Sequence, residues 1–136
     1  MRILSRLKNV EDLTVIDNSL HDLSGLSFNR CQTANFSKNY FTSFKSLPVM
    51  PNLQSLILSF NQIKTLNGLR RFPKLEYLEL TGNGIYYSHT YRQRVFKILP
   101  SLKVLDKTIK MKTDESGEPG DDEDKDPLEE GTCTLL

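Results

Sequence analysis

A chain of 136 residues, 38% hydrophobic and 26% charged, has room for one compact domain and a tail, and no stretch of it reaches the roughly 20 apolar residues that a membrane-crossing helix needs. Two cysteines, Cys31 and Cys133, do not make a disulfide framework, and the short start carrying Arg2 and Arg6 lacks the apolar core of a secretory signal, so an intracellular protein is expected. The net charge of +1 hides a segregation: residues 1–112 hold 17 Lys/Arg against 7 Asp/Glu, a balance of +10, while residues 113–136 hold 10 Asp/Glu against Lys125 alone, a balance of −9.

In chain order, residues 1–9 begin the pattern in mid-row. Leu4 and Leu7 match the later half of a row, as Leu26 and Phe28 or Leu47 and Met50 do before the rows that follow them. Residues 1–9 are therefore expected to be either an N-terminal cap or the remnant of a longer array whose upstream rows covered Val10, Leu13 and Val15. From Val10 the chain falls into rows that begin at Val10, Cys31, Leu53 and Leu75, at spacings of 21, 22 and 22 residues. Three residues into each row come Leu13, Ala34, Leu56 and Leu78, and two further on Val15, Phe36, Leu58 and Leu80. The next shared column is Asn in every row (Asn18, Asn39, Asn61, Asn83), and then Leu20, Phe41, Ile63 and Ile85. The later halves repeat as well, through Leu23, Phe44 and Leu66, then Leu26, Leu47 and Leu69, then Phe28, Met50 and Phe72.

Each column has a physical task. Alternate side chains of a short strand face opposite ways, so Leu56 and Leu58 should point into a core while Ile57 points out. A single row cannot bury its apolar face, whereas stacked rows share a continuous one. An amide side chain both donates and accepts, so the Asn column can satisfy backbone groups where the chain bends away from the strand. The columns resemble the leucine-rich-repeat pattern LxxLxLxxNxI over residues 4–106. That resemblance implies an α/β solenoid with short parallel strands on the concave face, an irregular or 3-10 convex side and a capping helix at the C-terminal end. Residues 10–90 would form four repeats.

After Asn83 the period breaks, and the next first-column residue, Leu102, stands 27 positions after Leu75. Tyr91, Val95, Phe96 and Leu99 recur at helical spacing, with Pro100 as the stop, which predicts a helix lying over the end of the core within a cap of residues 91–112. The run from Tyr91 to Asp106 is similar to the C-terminal cap of a family of intracellular leucine-rich-repeat proteins. That family includes the spliceosomal A-prime protein, an axonemal dynein light chain and regulators of protein phosphatase 1. Gly84 stands where that family usually has Pro, and Lys107 where it usually has Gly. The resemblance implies a non-catalytic adaptor or scaffold. Localisation is expected to be cytoplasmic, with nuclear or ciliary sites as the alternatives.

Beyond residue 112 the composition turns acidic and rich in Gly and Pro, which predicts a disordered acidic tail over residues 113–136. It ends in Cys133-Thr-Leu-Leu136, a C-a-a-X form compatible with prenylation of Cys133; a membrane association is expected only in that case. The tail brings no second lipid signal or polybasic stretch to strengthen it.

Catalytic chemistry has no inventory here. His21 and His89 are the only histidines; there is no glycine loop to cradle phosphate, and no His/Cys/carboxylate set has metal-ligand spacing. No cofactor, metal or small-molecule substrate is expected. Function falls to the outward residues of the strands, mostly small and polar, among which Ile16, Ile57, Phe60, Tyr77 and Glu79 form the candidate protein-binding set. A second reading is a ribonucleoprotein subunit using the basic body through Arg70, Arg71, Lys74, Arg92, Arg94 and Lys97. These lie on convex or capping segments without interleaved aromatics, so nucleic acid is not the expected partner.

Overall fold

A computed structural model describes residues 7–115; residues 1–6 and 116–136, and with them Leu4 and the prenylation candidate Cys133, lie outside the described residues. Each row supplies one three-residue strand: β1 (Asp12–Thr14), β2 (Thr33–Asn35), β3 (Ser55–Ile57) and β4 (Tyr77–Glu79). They pair in parallel and in sequence order, with Leu13, Ala34, Leu56 and Leu78 level across the sheet and buried. The columns written from the repeat are thus the columns of the sheet. A fifth row adds β5 (Val104–Leu105), parallel to β4, and the chain then reverses into β6 (Thr108–Ile109), antiparallel to β5 at the sheet's edge.

On the convex side, where the chain returns to the next strand, the backbone tightens into 3-10 turns at Phe44–Ser46, Leu69–Arg71 and Gly84–Tyr87. Phe44, Leu69 and Ile85 go inward from these turns into one core shared with the strand columns. Rows are also tied side by side on this face. The Arg71 guanidinium donates to the carbonyls of Phe44 at 2.8 Å and Leu47 at 3.2 Å, one row back. Val15, expected in the core, is only half-buried, because among the described residues β1 has a neighbouring strand on one side only. The turn from Leu7 to Val10, closed by a 3.2 Å backbone bond, repeats those from Phe28 to Cys31, Met50 to Leu53 and Phe72 to Leu75.

The asparagine column is a ladder between rows. Asn39, Asn61 and Asn83 are buried. Each amide oxygen accepts a backbone N–H of the preceding row, from Leu20, Phe41 and Ile63 at 3.2, 3.0 and 2.9 Å. Each amide nitrogen donates to a carbonyl of the preceding row, on Val15, Phe36 and Leu58, and to one of its own row, on Phe36, Leu58 and Leu80. Asn18 departs from the expectation: it is exposed and donates only locally, to the Ile16 carbonyl. In the fifth row Asp106 takes over part of the task, accepting the Leu80 N–H at 2.6 Å.

The predicted helix is α1 (Tyr91–Ile98), and Tyr91, Val95, Phe96 and Leu99 are all buried against the last row. Tyr91 donates its hydroxyl to Asp106 at 2.6 Å, and burial, with the Asp106 charge beside it, pushes that phenol well above the ordinary tyrosine range. The domain boundary expected at residue 112 falls inside a 3-10 turn, Lys112–Glu115, that packs on α1. The acidic composition disguised this extension, because Asp114 is a buried structural charge and not a tail residue. Its carboxylate receives a two-pronged fork from Arg92, at 3.1 Å from Nε and 2.9 Å from Nη2, and the Met111 N–H at 2.9 Å.

Candidate protein-binding face

With one face of the sheet committed to the core, its open face is defined by the outward residues of six strands. Register decides which of them meet. Ser55, Tyr77 and Val104 stand level across β3, β4 and β5, and Val104 is opposite Ile109 on β6. Thr14, Asn35, Ile57 and Glu79 form the next level column. Of the candidate residues, Ile57 and Tyr77 are therefore diagonal neighbours, with Glu79 directly beside Ile57. The structure brings these three together. Ile16, 40% exposed, belongs to the first row and stands apart from them.

Phe60 lies just past β3, 57% exposed, with a backbone φ of 60°. The same left-handed conformation recurs one residue before each Asn, at Asp17, Lys38 and Gly82. It belongs to the repeat and is not a local strain. Gly82 matters here for its missing side chain: the Phe60 ring occupies the space where a Cβ on Gly82 would be. The ring thus rests on the next row's backbone and presents its other side to solvent.

Two members of the face escaped the sequence reading. Val104 is half-buried and Ile109 is 68% exposed, and together with Tyr77 they make an apolar rung across the C-terminal half of the sheet. Nothing in the repeat announces Ile109, because it follows a chain reversal beyond the last row. The departure at Lys107 was the available signal. A family glycine there points to a turn with positive φ, and Asp106 and Lys107 do have φ of 52° and 68°, as a two-residue hairpin requires.

The polar members are organised too. Glu79 accepts the Tyr77 hydroxyl at 2.5 Å on one carboxylate oxygen and the Ser59 hydroxyl at 3.3 Å on the other. Bonding to Glu79 raises the Tyr77 phenol to about 12, so it stays a proton donor at any physiological pH. Thr33 donates to Asp12 at 2.5 Å at the other end. Cys31 is a core residue, as expected. Burial pushes its thiol up to about 11, and its sulfur donates to the Thr33 carbonyl.

Several of the basic side chains named for nucleic-acid contact bond within the fold, while Arg70, Lys74 and Lys97 remain exposed. Besides Arg71, Lys74 bonds Asn52 at 2.7 Å, Arg94 bonds Ser88 at 3.1 Å, and Arg92 holds Asp114 and the Leu105 carbonyl. A concavity of about 640 Å³ opens beside the cap, lined by Tyr86, His89, Tyr91, Arg92, Asp106 and Asp114. Its charged groups are those already holding the cap together. Among the described residues no group of three or more His, Cys, Asp or Glu could hold a metal ion, and no helix is long and apolar enough to cross a membrane.

Fold and face together define a repeat solenoid with a rigid open sheet. The leucine-rich-repeat family model matches residues 4–121, and the chain belongs to that family. Among curated relatives, the U2 small nuclear ribonucleoprotein A' of Arabidopsis thaliana is 32% identical over 126 residues, spanning 85% of this chain and 50% of that protein. The acidic leucine-rich nuclear phosphoprotein 32 family member A of Drosophila melanogaster is 37% identical over 91 residues, 48% of this chain and 35% of that protein. This chain thus spans about a third to a half of the curated relatives it matches. A solved structure, the Drosophila melanogaster SNF/U2A' complex, superposes with a TM-score of 0.70 at 25% identity, covering 92% of this chain and 77% of that chain. The names of these relatives are nuclear, which agrees with the nuclear alternative and lends nothing to the cytoplasmic expectation.

Proposed function

We propose that this chain is a non-catalytic protein-binding module that holds a protein partner on the open face of its sheet, within a nuclear assembly of the ribonucleoprotein kind. The observation that carries the reading is the apolar rung Tyr77, Val104 and Ile109 with Ile57 at its side, standing on a sheet whose opposite side chains are buried. Exposed apolar and aromatic side chains on a preorganised surface are the usual anchors of protein recognition, because ordering them costs little entropy on binding. The relatives support the setting: two are named for a ribonucleoprotein or for the nucleus, and the similar solved structure is a complex of two proteins. Entry into such an assembly would run through protein contact on this face, and Arg71 and Arg92, two of the basic residues weighed for nucleic acid, are engaged in bracing the fold.

The test is affinity capture from nuclear extract with the intact chain, an Ile57→Asp/Ile109→Asp variant and a Tyr87→Asp control. Tyr87 is 77% exposed and lies off the sheet, in the convex turn Gly84–Tyr87. All three should melt alike. A partner retained by the control and lost by the double variant is the expected result, and a partner indifferent to both changes would refute the reading.

A further inference from the structure

The charges of the open face run against those of the body that carries it. Residues 1–112 have a balance of +10. Yet the outward residues of β1 to β6 include Asp12 and Glu79 and not one Lys or Arg. The residues just ahead of the strands continue the trend with Glu11 and Glu76, so four of the body's seven carboxylates lie on or just ahead of these strands. Two cations border the face: Lys103, which sits 3.7 Å from Glu76, and Lys38, which precedes Asn39 as Phe60 precedes Asn61. The carboxylate nearest the apolar anchors is Glu79. It is held by the hydroxyls of Tyr77 and Ser59, neutral donors that fix its direction without cancelling its charge. Ile57 lies beside it in the ladder and Tyr77 on its own strand.

We propose, resting on the reading of this face as the binding surface, that its occupant is a cationic protein segment in which a Lys or Arg flanked by aliphatic residues seats against Glu79 and the Tyr77 ring. The flanking aliphatic groups cover Ile57, Val104 and Ile109. An oriented carboxylate next to an aromatic ring and an aliphatic wall suits such a side chain, whose head pairs with the acid while its stem packs on the apolar surface. The same charges turn away other occupants. Phosphates would meet the Glu79 carboxylate with no Lys or Arg among the strand residues to offset it, and residues 116–136, which hold Glu118, Asp121 and their acidic neighbours, carry the wrong sign for this face.

The test is a display selection of random peptides on the full chain, repeated on Glu79→Gln and on Ile57→Asp, with melting curves to show that each variant folds. The selected peptides that need Ile57 should carry a Lys or Arg among aliphatic residues. Replacing that residue by Gln should weaken binding about ten-fold on the parent chain and hardly at all on Glu79→Gln. Peptides that need Ile57 but are acidic, or neutral and indifferent to Glu79→Gln, would overturn the proposal while leaving the binding surface intact. Binders indifferent to Ile57→Asp, or no binders at all, would bring down the surface and the proposal together. Self-association in sedimentation that Ile57→Asp abolishes would put a second copy on the face, and that too would overturn the cationic segment.

Discussion

Asn61 shows how much of this molecule rests on one side-chain type. Its amide accepts from Phe41 and shares the Phe36 and Leu58 carbonyls with Asn39 and Asn83, so truncation leaves the buried Phe41 N–H without a partner and takes one of two donors from each carbonyl. Asn61→Ala should lower the unfolding free energy by about 3 kcal/mol, measured by denaturant titration. Asn18→Ala should cost almost nothing, because Asn18 is exposed and bonds only Ile16. Equal losses at the two positions would contradict the ladder. At this scale the sequence is readable where period enforces it. The inward columns, the asparagines and the outward orientation of Ile57 and Tyr77 all follow from spacing. The pairing of Tyr77 with Glu79 and the ring of Phe60 on Gly82 do not, because they depend on rotamers and on register between neighbouring rows.

Among the elements, the cap is where local chemistry decides most. The β5–β6 reversal places Lys107 at a φ of 68°, a conformation that a side chain with a Cβ adopts at a cost of about 1 kcal/mol. Lys107→Gly should therefore raise stability by about that amount, read as a higher midpoint in thermal unfolding; a lower midpoint would mean that the lysine is held there by contacts worth more than the strain. Asp114 docks the turn Lys112–Glu115 onto α1. The bonds from Arg92 and Met111 outweigh the opposing effect of burial and hold its carboxyl below the usual carboxylate range. A depressed folded value favours the ionised form, so its contribution is complete above the unfolded value of about 3.9 and is lost as pH falls through the folded one. Asp114→Asn should cost about 2 kcal/mol near neutral pH, and the gap between variant and parent should close below about pH 4. A gap independent of pH would contradict the ion pair. The helix itself was legible from the spacing of Tyr91, Val95, Phe96 and Leu99. The docked turn was not, since an acidic residue beside a Gly- and Pro-rich stretch carries no mark of burial.

For the whole molecule, stacking produces both the rigidity of the sheet and its open face, and the ends of the stack behave differently. At the C-terminal end α1 and the hairpin close the core. At the other end, among the described residues, β1 has one neighbour and Val10 and Val15 are half-buried. Solenoid architecture was written in the four matching rows, while the distribution of charge emerged only once register had sorted side chains to the two faces. The claim on which the rest depends is that the open face, toward its C-terminal half, is where a protein partner sits. Site-directed photocrosslinking in nuclear extract tests it most directly, with a benzophenone amino acid placed at Ile109 on the face and, in a second preparation, at Tyr87 off it. A discrete protein adduct from position 109 that is absent from position 87 is the predicted result. Adducts formed equally from both positions, or from Tyr87 alone, would contradict it.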